Sequence, residues 1–385
     1  MMSKWKNNLE SNLRKVASTI TPILIAFLIG AIAIILAKEN PFSTYYILIS
    51  KSLFNIKGLL KTLHYAAPLI LSGLAIAVSF KAGLFNMGIE GQIISSGFVV
   101  AVLGYKLAFL PSGVLIPLLL LIGLVVGVLV AILPAFLKAK YNVNEMVVTL
   151  LLNYAIYSVL EYLTSTIFRD PSSGYVSTNM IGANAIISRI GDSKLTLFFF
   201  ITIAVFIVMY FVFHRSKLGF EITAMGKNRS FAEATGMETQ KKTMYIMLLS
   251  GALAGLAGAG WMLGEKFAYT LSFSGTPGLG WDGMLIALLG GHSPIGILIA
   301  AIFYAVLKTG SASVAIYTSV PAEIILLLQA MIILFLSLKF FNKKRIKKQS
   351  KKEVVSNGTD SWNITWFTFF YRSYPSMYIR WFICL

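Results

Sequence analysis

Apolar positions along this chain are gathered into long runs, and polar positions fall in the shorter stretches between them. Runs such as Thr19–Ala37 and Leu195–Phe213 approach the ~20 residues that a helix needs to cross a bilayer. They are apolar on every face, whereas a transmembrane β-barrel shows short segments of alternating hydrophobicity. The pattern predicts an all-α, polytopic transmembrane helical bundle. We expect about ten crossings, at residues 19–37, 62–80, 84–104, 114–134, 142–163, 195–213, 244–264, 281–291, 294–309 and 322–340.

The same pattern divides the chain into three parts. Residues 1–18 form a polar N-terminal segment, residues 19–342 a membrane domain, and residues 343–385 a basic anchor followed by an atypical, aromatic-rich tail. The N-terminal segment has basic residues but lacks the short apolar core and small-residue cleavage site of a signal peptide. The first apolar run is therefore expected to remain as a helix. We find no function for the tail.

A long polar stretch at residues 214–243 lies between two of the predicted crossings. Its local sequence predicts two very short helices. The first ends at Gly226, and the second runs from Ser230 to Gly236, with Glu233 completing a capping box. A helix of one or two turns is unstable alone, because nucleation costs more than its few hydrogen bonds return. The stretch is therefore either a solvated loop or a surface helix that docks into a partner protein.

A short motif occurs twice in the membrane domain. Gly88-Ile-Glu-Gly91 matches Gly280-Trp-Asp-Gly283, and Ile94 then aligns with Ile286. In the predicted topology the first copy enters the membrane from the inside and the second from the outside, so the two halves would be inverted. Inverted repeats with glycine-broken segments are typical of transporters and point to a pathway near the repeat interface. The alternative is a chance match in a glycine-rich membrane protein.

The two acids of this motif are the first candidates for a transport pathway. An Asp or Glu in a membrane helix costs ~2.5–3.5 kcal/mol on insertion scales, so it usually faces a cavity or a partner, unless it lies just at the interface. Asn144, Thr149 and Asn153 recur on one side of another predicted helix. They either bond to neighbouring helices or line a pathway. The pathway candidates are Asn86, Glu90, Gln92, Asn144, Asn153 and Asp282.

The composition supports a membrane protein, because 57% of the residues are hydrophobic and 12% are charged, against about 25% charged in soluble domains. The net charge of +18 does not indicate nucleic-acid binding, since the basic residues lie at the ends of apolar runs and in one C-terminal cluster. They act there as topology signals. Their excess on one side places both termini and the 214–243 stretch in the cytoplasm, and the protein in the plasma membrane.

Neither a metal site nor a cofactor is indicated. Cys384 is the one cysteine, and His64, His214 and His292 lie far apart and form no ligand pattern. No spacing suggests a nucleophile–base pair or a metal set for an intramembrane hydrolase. The chain also contains no Gly-x-x-x-x-Gly-Lys-Ser/Thr phosphate loop. Any ATP-driven work must therefore come from another chain.

Four segments resemble a known family: Phe85–Gln92 (FNMGIEGQ), Asn144–Tyr154 (NEMVVTLLLNY), Ala224–Met237 (AMGKNRSFAEATGM) and Ala287–Gly296 (ALLGGHSPIG). Together they are similar to permease subunits of ABC importers, in the class that serves simple sugars and branched-chain amino acids. Within this class the chain most resembles permeases of nucleoside uptake systems of the basic-membrane-protein type. The resemblance covers about residues 15–342, and the tail departs from it.

The resemblance implies a role for the 214–243 stretch. In this family the cytoplasmic loop bears a coupling helix that sits in a groove of the ATP-binding subunit. By position, the residues that would carry it are Ala224, Gly226, Asn228, Phe231, Ala232, Glu233, Ala234 and Gly236. The implied partners are an ABC ATP-binding subunit in two copies or as two domains, a second permease that is identical or homologous, and a substrate-binding lipoprotein in addition to the lipid bilayer. The chain itself would not be an enzyme.

The function expected from these observations is transport of a nucleoside or a related simple sugar across the plasma membrane by alternating access, driven by ATP hydrolysis in the partner subunit. A sugar and a base need hydrogen-bonding groups along their path, which the candidate residues supply. The alternative is an ion-coupled secondary transporter of a small polar solute. Uptake by such a transporter would collapse with an ionophore while ATP persisted.

Overall fold

A computed structural model describes residues 27–318 of the chain, except residues 33, 37, 276 and 277. These residues all belong to one compact unit. Within this part of the chain the regular structure is helical, and β pairing is limited to three isolated bridges. The N-terminal segment 1–18, the predicted crossing 322–340 and the C-terminal part 343–385 lie outside the described residues, as does much of the predicted crossing 19–37.

The helices in chain order are α1 Phe27–Leu36, α2 Pro41–Ile49, α3 Ile56–Lys81, α4 Ile89–Lys106, α5 Ser112–Tyr141, α6 Glu145–Tyr162, α7 Phe198–Arg215, α8 Lys217–Lys227, α9 Arg229–Ala234, α10 Thr239–Trp261, α11 Leu279–Leu289 and α12 Pro294–Tyr317. One π-helical turn each follows α2, α6 and α10, at Ser50–Phe54, Leu163–Ile167 and Met262–Lys266. A single 3₁₀ turn, Ala183–Ala185, interrupts the long connection between α6 and α7.

Six helices of the described part are long and apolar enough to cross a membrane, namely α3, α5, α6, α7, α10 and α12. The number rises to seven if α1 and α2 form one span with a bend of 119° between them. The polytopic helical bundle is therefore confirmed, whereas ten crossings exceed what the described residues show. Two predicted crossings, 84–104 and 281–291, fall on α4 and α11, which are not among these six helices. α11 has only 11 residues, too few for a helix that spans ~30 Å of hydrocarbon.

The first predicted outside loop, between the crossings 19–37 and 62–80, is largely helical. α2 begins at Pro41, and the Asn40 side chain caps it by accepting a 2.9 Å hydrogen bond from the Phe42 N–H. Asn55 caps α3 in the same way, so α3 begins six residues before the predicted crossing. Cap residues and a proline at the first helical position are helix-start signals that a hydropathy pattern does not register.

The centre of the bundle is formed by α3 and α10, which are its most buried spans, whereas α6 is the least buried of the six. Small residues let α10 approach α5 closely. A Cβ atom on Gly127 of α5 would lie 2.1 Å from the carbonyl oxygen of Gly251, and one on Gly255 would lie 2.2 Å from that of Gly123. These glycines serve helix packing, as their i, i+4 spacing in α10 predicts.

The contacts between the helices fall into two matching sets. α3 packs against α11 and α12, and α10 packs against α4 and α5. This is the arrangement expected if α3, α4 and α5 correspond to α10, α11 and α12 in a repeat, because each of these contacts then has an equivalent one. The repeated motif lies at the start of the middle helix of each unit. These contacts agree with a repeat that extends beyond the matched residues, and the opposite orientation of the two units in the membrane stays a prediction.

Candidate functional site

The two copies of the repeated motif meet in the structure. The Glu90 carboxylate, in the first turn of α4, accepts a 2.7 Å hydrogen bond from the N–H of Gly280, in the first turn of α11. Glycine is required here, because a Cβ atom on Gly280 would lie 2.6 Å from the backbone nitrogen of Glu90. Gly278 precedes α11 with φ +116°, which favours glycine. The carboxylate thus complements the positive end of the α11 dipole.

Asp282, the matching acid in the second copy, has different partners. It is fully buried and accepts a 2.5 Å hydrogen bond from the Tyr304 hydroxyl. The ammonium of Lys308 lies 3.4 Å from its other carboxylate oxygen. Both partners come from one face of α12, four residues apart. Sequence analysis missed them, although this i, i+4 spacing in an apolar helix was a signal that could have found them.

The irregular link between α3 and α4 is held by side-chain amides. Asn86 is fully buried, donates a 3.0 Å hydrogen bond to the Ser250 hydroxyl and accepts one from the Gly88 N–H. Asn153 of α6 accepts from the Gly91 N–H at 2.9 Å and donates to the Met87 carbonyl at 2.7 Å. A non-helical backbone inside the bundle needs such partners, because little water is present to satisfy it.

A buried ion pair supports the same link. Glu145 at the start of α6 lies 2.9 Å from the Lys138 ammonium of α5, and its other carboxylate oxygen accepts from the Phe85 N–H at 3.1 Å. Thr149, one turn further along, accepts from the Met87 N–H. Sequence analysis placed Thr149 on the polar face of α6 but did not single out Glu145 or Lys138.

Two other candidates lie differently. Asn144 is exposed and caps α6, accepting a 3.0 Å hydrogen bond from the Met146 N–H, so it stands apart from the junction of α4 and α11. Gln92 is fully buried, and neither its side-chain nitrogen nor its oxygen bonds to another part of the described chain. A small cleft opens at the junction itself. Its lining includes Asn86, Met87, Glu90, Gly280, Trp281 and Met284.

The first helix of the 214–243 stretch is longer than predicted. α8 begins at Lys217, where the Ser216 hydroxyl accepts from the Gly219 N–H, and it continues through Gly226 to Lys227. The expectation that Gly226 ends this helix is therefore wrong. Gly226 instead lets α8 touch the end of α3, since a Cβ atom there would lie 1.9 Å from the carbonyl oxygen of Lys81.

The second helix, α9, is capped by Asn228 and not by Ser230. The Asn228 side chain accepts a 3.0 Å hydrogen bond from the Phe231 N–H. Glu233 does not complete a capping box. Its carboxylate accepts from the Thr239 hydroxyl at 2.5 Å and lies 3.3 Å from the Arg229 guanidinium. These contacts, that of Thr239 first, hold the pKa of the Glu233 carboxyl below its usual range.

Most of the residues expected to form the coupling helix and its flanks are exposed to solvent. Ala232 is buried and Ala224 is half-buried. The exposed ones are Gly226, Asn228, Phe231, Glu233, Ala234 and Gly236. The predicted end of the second helix at Gly236 is confirmed by its φ of +83°. Phe231 is 66% exposed, so its ring is accessible to a partner.

An ion pair fixes α8 to the second central helix. The Glu221 carboxylate is buried, and the Lys242 ammonium in the first turns of α10 lies 2.7 Å from it. Gly226 contacts α3 at the other end of α8. The exposed α9 is therefore connected through α8 to both helices at the centre of the bundle.

The family of the chain is shown by comparison with known proteins. A model of the family described as branched-chain amino acid transport system, permease component, matches residues 58–337, which is most of the chain. The chain belongs to this permease family. The matched range includes both copies of the repeated motif and the whole 214–243 stretch.

The relatives of this permease span nearly its whole length. It is 32% identical to the nucleoside ABC transporter permease protein NupB of Lactococcus lactis, over 88% of this chain and 95% of NupB. It is 32% identical to the guanosine ABC transporter permease protein NupP of Bacillus subtilis, over 86% and 95%. It is also 31% identical to a glucose ABC transporter permease protein of Haloferax volcanii, over 84% and 88%. No solved structure matches the chain.

The permease has a second polar cluster, at the end of α3 opposite to Lys81. His64 lies 3.3 Å from the Glu265 carboxylate, which also accepts from the Tyr65 hydroxyl at 3.0 Å. Lys194 approaches the same carboxylate at 3.4 Å, and Thr196 bonds to His64. His64 is buried in the third turn of α3, so it is a packing residue and not a helix-end residue. Within the described residues no group of three or more His, Cys, Asp or Glu side chains has the arrangement of a metal site.

Proposed function

We propose that this permease is the membrane subunit of an ATP-driven ABC importer that moves a nucleoside by alternating access. The observation that carries the proposal is the match to NupB and NupP, two relatives named for nucleoside and guanosine transport. Each match covers most of this chain and nearly all of the relative. The glucose relative has almost the same identity. A related simple sugar is therefore the second substrate class, and it shares the hydroxyl groups of a nucleoside.

The pathway is proposed to pass the junction of α4 and α11. Two helices begin there, a hydrogen bond joins their first turns, and the cleft between them carries carboxylate, amide and indole groups. Broken helices that start at a repeat interface are where many transporters bind substrate. Glu90, with Gln92 nearby in sequence on α4, is the proposed pathway side of the junction. Asn86, Asn153 and Asp282 are proposed to hold its geometry.

Coupling to ATP is proposed to run through α9 and α8. The exposed Phe231 would seat in the ATP-binding subunit, and α8 would pass the displacement on. Two contacts support this route: Gly226 touches the end of α3, and Glu221 pairs with Lys242 of α10. Because α3 and α10 form the core, a shift of α8 would reach α4 and α11, which pack against them.

The proposed complex has further chains. Two ATP-binding sites, in two subunits or two domains, would close together and move two permeases, the second being identical or homologous to this one. A substrate-binding lipoprotein would deliver the nucleoside from outside. The permease itself is proposed to perform no catalysis, with both of its termini in the cytoplasm.

Uptake measurements test the function. A strain of the native host that lacks this chain, and the same strain complemented with it, are compared for uptake of labelled guanosine and labelled glucose. We expect guanosine uptake to be lost and restored, and to continue in the presence of an ionophore while cellular ATP is maintained. Uptake that stops with the ionophore at constant ATP would favour an ion-coupled transporter. Restored glucose uptake, with guanosine uptake unchanged, would reassign the substrate to a simple sugar.

A further inference from the structure

A cavity of about 520 Å³ lies away from the α4–α11 junction, between the start of α8 and the start of α10. Three lysines, Lys217, Lys241 and Lys242, line it together with the carboxylates of Glu221 and Glu238. The aromatic side chains of Phe220 and Tyr245 line it as well, and they are 67% and 61% exposed. The cavity shares Gly236 and the Glu221–Lys242 ion pair with the proposed coupling route, whereas its other lining residues have no part in that route.

The lysines of the cavity are not equally available. Lys242 is held by the buried Glu221 carboxylate at 2.7 Å, so it belongs to the attachment of α8. Lys241 pairs with Glu238 at 2.5 Å, but both side chains are largely exposed, and such surface pairs contribute only ~0–1 kcal/mol. Lys217 has no ion pair within the described part of the chain. The Lys217 ammonium is therefore available to a ligand in the cavity, and that of Lys241 can exchange the exposed Glu238 carboxylate for one.

The cavity lies at the ends of two membrane spans. Lys217 comes two residues after Arg215, the last residue of α7, and Lys241 lies in the first turn of α10, just before that helix becomes apolar. Exposed aromatic residues with a polar edge, such as Tyr245, are enriched at this level of a bilayer. The cavity therefore opens where lipid headgroups lie, on the side that we propose as cytoplasmic.

We propose that this cavity binds the phosphate of an anionic phospholipid. Lys217 and Lys241 would hold the phosphate, and Phe220 and Tyr245 would line the path of an acyl chain toward the hydrocarbon. Basic pockets between membrane helices on the cytoplasmic side recognise such headgroups. A zwitterionic headgroup fits less well, because its own cation would meet the lysines. A free phosphate ligand shares the chemistry of the headgroup but would not use the aromatic wall.

The test is a lipid titration of the purified full-length permease in discs of phosphatidylcholine. Short-chain phosphatidylglycerol is added, and thermal unfolding is followed by intrinsic tryptophan fluorescence. We expect phosphatidylglycerol to raise the midpoint and added phosphatidylcholine to leave it unchanged. The double variant Lys217→Gln/Lys241→Gln should bind phosphatidylglycerol about twenty-five-fold more weakly, since one lysine near an anionic headgroup is worth about fivefold. Both side chains are exposed, so folding should be preserved.

A matched control is Lys227→Gln/Lys140→Gln, which removes the same charge from the same side of the permease but outside the cavity. It should bind phosphatidylglycerol as the wild type does. Equal binding by all three proteins would overturn the proposal. An equal midpoint shift with inorganic phosphate would replace the lipid by a free phosphate ligand. If the double variant binds lipid normally but no longer retains the ATP-binding subunit, the cavity is a protein-docking surface instead.

Discussion

The Glu90 carboxylate accepts a 2.7 Å hydrogen bond from the backbone N–H of Gly280, which joins the two copies of the repeated motif. Both residues lie in the first turn of their helices, so the contact draws the N-termini of α4 and α11 together beside the cleft. If the two repeat units move against each other during alternating access, this contact must loosen in one of the two states. The strength of this hydrogen bond would then contribute to the free-energy difference between the two states.

Glu90→Gln should lower uptake by about fivefold without reducing the amount of protein in the membrane. A hydrogen bond to a charged group contributes ~1.5–3 kcal/mol and one between neutral groups ~0.5–1.5 kcal/mol, a difference of about 1 kcal/mol. The measurement is initial uptake rate per quantity of permease. Glu161→Gln changes an exposed acid of α6 and serves as the control. Full transport by Glu90→Gln would remove Glu90 from the pathway.

The Asp282 site predicts a different outcome. Asp282→Asn leaves Lys308 without its carboxylate, and breaking a buried ion pair costs ~3–5 kcal/mol. We expect a smaller loss of about 2–3 kcal/mol, because Lys308 is one-third exposed. The loss should appear as a lower thermal unfolding midpoint of the purified permease. The double variant Asp282→Asn/Lys308→Gln should regain at least half of it. A double variant less stable than Asp282→Asn would show that the pair is not what stabilises this site.

The two acids illustrate how far the sequence leads at the junction. The motif match predicts that Glu90 and Asp282 occupy related places, and the two matching sets of helix contacts agree with this prediction. The match cannot reveal that one acid caps α11 while the other pairs with α12. That difference depends on Tyr304 and Lys308, which are distant in the chain and belong to no repeated motif. The short span of α11 was likewise hidden, because an apolar run of this length can be either a crossing or a broken helix.

Gly226→Ala tests the contact between α8 and α3. The added methyl group would lie 1.9 Å from the Lys81 carbonyl oxygen, so α8 must move away from α3. We expect uptake to fall at least tenfold while substrate binding by the soluble binding protein stays normal. Gly113→Ala in the first turn of α5 is the matched control, since nothing lies within 4 Å of the added atom. Equal uptake by both variants would mean that this contact transmits nothing.

Cysteine labelling tests the orientation. Cys384 is replaced by serine to remove the one native thiol, and single cysteines are placed at Ser173, in the α6–α7 connection, or at Lys227 in α8. A membrane-impermeant maleimide added to intact cells should label the first and not the second. Labelling of both from outside would contradict the cytoplasmic position of the 214–243 stretch, and the inverted orientation of the repeat units with it.

The 214–243 stretch shows what local sequence signals can and cannot predict. The sequence predicts two helices, the second ending at Gly236, and two are present. The N-cap was assigned to Ser230 because Glu233 follows at the right spacing, yet Asn228 caps α9 and Glu233 bonds to Thr239. Gly226 was expected to end a helix because glycine favours that position. Its actual role is a close approach to α3, which only the tertiary structure reveals.

Co-purification of the ATP-binding subunit tests the central claim most directly. Phe231→Asp places a charge where α9 is proposed to dock, and removing a hot-spot residue from an interface costs about 2 kcal/mol or more. The control is Phe109→Asp, which alters another exposed phenylalanine, outside the 214–243 stretch. We predict that Phe231→Asp loses both the ATP-binding subunit and uptake, while Phe109→Asp keeps both. A Phe231→Asp permease that retains the ATP-binding subunit and transports as the wild type does would contradict the account.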